Sequence, residues 1–71
     1  MNTFSNNLKA LRKEKGLSQK VVACALGIST TCYAGYEQGY REPDLSTLKN
    51  ICLFFEVSAD YLLGIKDSEF D

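Results

Sequence analysis

Apolar residues recur along the chain at intervals of three and four rather than two, which predicts helices throughout and no strands. Phe4, Leu8 and Leu11 form the first stripe, predicting a helix from about Phe4 to Lys15, with Gly16 placed to end it and Leu17 turning inward. Val22, Ala23 and Leu26 form the second, on a helix that opens after Ser18, whose hydroxyl suits an N-cap. Gly27-Ile28-Ser29 then joins a residue free to take positive φ, an apolar plug and a second capping serine. A third helix follows at once, with Tyr33 and Tyr36 facing inward and Gly39 just past its end. Pro43 disfavours helical geometry at Glu42, and Asp44 is placed to cap a fourth helix carrying Leu45, Leu48, Ile51, Cys52 and Phe55. Val57 closes that element. Ser58 opens a short fifth helix, Ala59 to Leu63, which contributes Tyr61 and either Leu62 or Leu63 before Gly64 stops it.

The segment from Gln19 to Gln38 carries the most information. It reads as a helix, a glycine-centred turn and a second helix, and the small Ala23 allows the close backbone approach that two steeply crossed helices need after a short turn. Seventy-one residues make one small domain, residues 1–66, followed by an acidic tail at 67–71 that is expected to fray. With 45% apolar and 24% charged residues the chain is an ordinary globular one, and it holds no apolar run near the length of a membrane span. The amino end lacks the basic start and apolar stretch of a secretory signal, so the expected location is cytoplasmic and no membrane partner is expected.

Net charge of −1 argues against indiscriminate nucleic-acid binding, but the distribution is uneven. Through residue 49, seven basic residues face four acidic ones, a balance of +3, whereas residues 50–71 carry −4. Such an asymmetry can turn the basic end of a domain toward phosphate, although solvated surface charge accounts equally well for any single lysine. Catalysis has little to draw on: there is no histidine, no glycine-rich phosphate cradle after a strand and no carboxylate cluster with metal-site spacing. Cys24, Cys32 and Cys52 lack CxxC spacing and read as free thiols, buried or half-buried, so neither metal nor cofactor is expected.

The chain resembles the Cro/CI-type helix-turn-helix domains of phage and bacterial repressors, the XRE family. The resemblance runs from Phe4 to Gly64. It is carried by Leu11-Arg12, Gly16-Leu17-Ser18-Gln19, Ala23, Leu26-Gly27-Ile28-Ser29, Tyr36-Glu37-Gln38-Gly39, Arg41 with Pro43, Leu48, and Val57 to Gly64. It implies an all-α, compact five-helix, lambda-repressor-like domain with the helix-turn-helix at helices two and three. It further implies a transcriptional regulator, a repressor that binds a short palindromic operator in double-stranded DNA as a homodimer, with helix three in the major groove.

On that resemblance Thr30, Thr31, Ala34 and Gly35 fall at the exposed positions that meet base edges, and Gln19, Ser29, Gln38, Tyr40 and Arg41 fall along the phosphate backbone. The reading surface is chemically sparse. Threonine can touch a thymine methyl or make one hydrogen bond, where glutamine or arginine would make two. Gly35, which costs a helix about 1 kcal/mol relative to alanine, serves either a close backbone approach or nothing, as drift at a tolerant site. Arg12 and Glu37 match a pair that, in similar domains, bridges helices one and three, with independent surface charges as the alternative.

Leu53 and Phe54, with Tyr61 nearby, are more apolar than their positions require and mark a candidate dimer face, unless they fold over a thin core. Val21 and Cys24 are similarly placed on the outer side of helix two. A second functional class stays open: an antitoxin-like or adaptor module that uses this fold to hold a protein partner and reads DNA weakly.

Overall fold

A computed structural model describes residues 3–65. Five helices follow one another: α1 Thr3–Glu14, α2 Gln19–Leu26, α3 Thr30–Gln38, α4 Leu45–Phe55 and α5 Ala59–Leu62. Four of them open on a side-chain cap placed three residues before a free backbone N–H. Ser18, Ser29, Asp44 and Ser58 accept from the N–H groups of Val21, Cys32, Thr47 and Tyr61, at 2.8 to 3.1 Å. Gly27 and Gly39 end α2 and α3 at φ of 73° and 89°, the left-handed geometry that a side chain would strain. The helix ends thus follow from local chemistry, and α1 begins and ends one residue earlier than its apolar stripe indicates.

The stripes converge on one core. Leu8, Val22, Tyr33, Ile51 and Leu62 are fully enclosed, with Phe4, Leu11, Ala23, Tyr36, Phe55 and Val57 around them. α3 lies between α1 and α2, while α4 packs on α2 and α5, and α5 also touches α1. Two side chains on α1 lock this arrangement at long range. Ser5 Oγ donates to the Tyr36 carbonyl at 2.6 Å, and Asn7 Nδ2 donates to the carbonyls of Tyr61 and Leu62 at 3.1 and 3.2 Å, satisfying the exposed end of α5.

Four expectations are corrected. Leu45 is 85% exposed rather than part of the apolar face of α4, because it is the first residue after the cap and Leu48, one turn later, already stands at the rim of the core. α4 closes not at Val57, which is buried, but at Glu56, which takes φ of 58° and stands alone in this among the described non-glycine residues. The short α5 stops at Leu62, which is the buried one of the two leucines, while Leu63 is exposed. Cys32 and Cys52 are half-buried, but Cys24 is exposed on the outer side of α2. No helix of the described residues is long and apolar enough to cross a membrane. The acidic segment 67–71 lies outside the described residues.

Candidate nucleic-acid interface

α2 and α3 are held by what lies behind them. Tyr33 and Tyr36 fill the inner face of α3 with their rings edge to face, 6.3 Å apart. Between them and α1 runs a polar network centred on Glu37, whose side chain is 2% exposed. Arg12 Nε donates to Glu37 Oε2 at 2.6 Å and Arg12 Nη2 to Oε1 at 3.0 Å, a two-pronged contact, while Nη1 reaches the Leu17 carbonyl at 2.8 Å. Gln19 Nε2 adds a bond to Glu37 Oε1 at 3.1 Å. One guanidinium therefore joins the end of α1, the following loop and the last turn of α3, and fixes the angle at which α3 is presented.

Electrostatics follow the geometry. Burial alone would raise the pKa of Glu37, but the hydrogen bonds from Arg12 and Gln19 outweigh it and hold the carboxyl below its usual range. Arg12 is pushed the other way by the same bond to Glu37. The Tyr33 hydroxyl, driven upward by burial and then by the charge of Glu37, stays neutral. It is buried without a completed hydrogen bond among the described residues.

The outer face is where the sequence places its reading positions. Thr30 and Thr31 are exposed, Ala34 is half-buried, and Ser29 and Gln38 flank them in solvent. Tyr40, 68% exposed, and the exposed Arg41 follow from the loop after α3. Gln19 is half-buried, with one amide N–H committed to Glu37 and a second left to donate. Ser29 Oγ accepts its capping bond and keeps its own O–H to give.

Gly35 departs from expectation. It is buried rather than presented on the outer face, because the aliphatic stem of Arg41 lies over it. Nothing in the order of residues signals that contact, since a loop side chain must double back onto the helix to make it. The Gln19–Glu37 bond and the Asn7 bonds were likewise missed; a polar residue beside an apolar stripe, as Asn7 is beside Leu8, is the available hint for the second.

On the far side, Leu53 is 66% exposed. Phe54 and Tyr61 are half-buried and rest against the core, Phe54 edge-on to Phe55 at 4.9 Å. A shallow groove beside them is lined by Leu45, Leu48, Cys52, Leu53 and Val57.

A family model described as helix-turn-helix matches residues 8–62. An uncharacterized HTH-type transcriptional regulator of Bacillus subtilis (strain 168), YqaE, is 50% identical over 66 residues, 93% of this chain and 57% of that protein. The crystal structure of a transcriptional regulator from Listeria innocua is 36% identical with a TM-score of 0.81, covering 86% of this chain and 57% of that one. The solution structure of the DNA-binding domain of the P22 c2 repressor is 28% identical with a TM-score of 0.79, covering 89% and 86%. The chain spans about half the length of the curated relatives it matches. With the capped α2 and α3, the left-handed Gly27 between them and a family match across most of the chain, this protein belongs to the XRE-type helix-turn-helix family.

Proposed function

We propose that this chain binds double-stranded DNA as a transcription regulator, acting as a repressor on a short palindromic operator in the form of a homodimer. The observation that carries the reading is the two-sidedness of α3: Tyr33, Tyr36 and Glu37 anchor its inner face, while Thr30 and Thr31 stand exposed beside the loop cation Arg41. A helix held rigidly from behind and bare in front is what groove insertion requires.

In this reading Thr30, Thr31 and Ala34 approach base edges, with threonine methyls against thymine methyls and one hydrogen bond per hydroxyl. Gln19, Ser29, Gln38, Tyr40 and Arg41 engage the phosphates on either side, and these contacts set register rather than sequence. Such short side chains leave much of the selectivity to backbone fit and DNA deformability. The exposed Leu53, with Phe54 and Tyr61 beside it, supports a two-fold contact that would set two copies of α3 about 34 Å apart, one helical turn of DNA. Occupancy then hinders polymerase without any chemical step.

The test is selection of bound duplexes from a random pool, followed by titration of the winner at several salt concentrations. A palindromic motif whose affinity falls steeply with salt is the expected result. No enrichment even at low salt would overturn the reading in favour of a module that binds a protein partner.

A further inference from the structure

Gly35 is the one residue of α3 without a side chain, and the room a side chain would need is filled from the loop. A Cβ placed there would stand 2.6 Å from Arg41 Cδ, 2.9 Å from Cγ and 3.2 Å from Cβ. Carbon atoms in contact settle at about 3.5–4.0 Å, so the stem of Arg41 lies flat on bare helix backbone. The backbone ties the same loop down: the Gly35 carbonyl accepts from the N–H groups of Gly39 at 3.0 Å and Arg41 at 3.3 Å. Helical spacing puts Thr31, Gly35 and Gln38 on one stripe. Arg41 therefore supplies, from outside the helix, the long cationic side chain that this stripe lacks, and its guanidinium begins one bond beyond the pinned Cδ.

We infer that Gly35 is a positioning residue, whose missing side chain holds Arg41 over α3 as a pre-organised cation for a DNA phosphate. This rests on the DNA-binding reading above. An arginine already restricted in the free protein loses less freedom on engaging phosphate, an advantage of about two- to tenfold in affinity. The glycine that looks like a weakness in the helix is, on this account, a socket for the loop.

The test is a double-mutant cycle of Gly35→Ala and Arg41→Ala against the duplex selected from the random pool, with thermal unfolding measured on each variant. Alanine favours the helix, so Gly35→Ala is expected to unfold no earlier than the native chain. It is expected to bind about two- to tenfold more weakly. In the Arg41→Ala background the same change should cost nothing further. Equal losses in both backgrounds, or no loss in either, would overturn the inference.

A measurement on the free protein checks the positioning directly. The chain has two arginines, Arg12 and Arg41, so its arginine Nε–Hε NMR spectrum holds two side-chain signals. Gly35→Ala should shift and loosen that of Arg41 and leave that of Arg12 in place; an unchanged Arg41 signal counts against the inference. Failure of the DNA-binding reading shows separately, as a native chain that binds no duplex and takes this inference down with it.

Discussion

Arg12→Ala isolates the network that fixes α3. The substitution removes both prongs on Glu37 and the bond to the Leu17 carbonyl, and leaves a carboxylate that is 2% exposed with Gln19 as its remaining donor. Breaking one side of a buried pair costs about 3–5 kcal/mol, because the surviving charge is neither solvated nor neutralised. A domain of this size has roughly 4–10 kcal/mol in all, so the variant should stand close to unfolding at neutral pH.

The pH dependence has a definite sign. In the native chain the Glu37 carboxyl titrates below its unfolded value, so its contribution is present above about pH 4.3 and is lost as pH falls through the folded value. Without Arg12, burial dominates and the folded value rises above the unfolded one. The deficit of Arg12→Ala is then full at pH 7 and shrinks as pH falls toward about 4.3. Urea unfolding followed by far-UV circular dichroism at several pH values measures both. A loss under about 1 kcal/mol at pH 7, the range of an exposed pair, or a loss that does not change with pH, would refute the reasoning.

Ser29→Ala removes the cap of α3 and should cost about 1 kcal/mol by the same urea assay; a loss near zero would mean the Cys32 N–H finds water instead. Glu56→Gly relieves a non-glycine residue at φ of 58° and should raise stability by about 0.5–1 kcal/mol, read as a higher thermal midpoint, whereas a lower midpoint would show that the Glu56 side chain contributes more than its backbone costs. Leu53→Glu puts a charge on the candidate dimer face. The native chain should sediment as a dimer at high micromolar concentration and the variant as a monomer that keeps the helical circular dichroism of the native chain; a monomeric native chain would rule out this face.

Where a feature depends on neighbours in sequence, it was legible in the sequence. The four caps and the stops at Gly27 and Gly39 each involve residues within a few positions, and the structure has them where the residue types place them. The inner residues of α1 to α4 follow from periodicity for the same reason. Features set by the third dimension were not legible. Leu45 satisfies the spacing of α4 but projects beyond the edge of the core, which spacing cannot register. Glu56 adopts a glycine-like geometry because Val57 must turn back to be buried. Gly35 reads as an exposed outer position, a close backbone approach or drift, whereas in the fold it is buried under Arg41. Within the interface, the sequence therefore locates the exposed threonines and the anchoring pair, while the Gln19 bond to Glu37 and the Arg41 contact come from packing alone.

The central claim is that the outer face of α3 reads bases. Its most direct test is to select bound duplexes from the same random pool with the native chain and with Thr31→Ala, whose exposed side chain takes no part in the core. The expected result is a change in the preferred base at one position of each half-site, with the rest of the motif kept. The same motif recovered from both proteins, base for base, would contradict it.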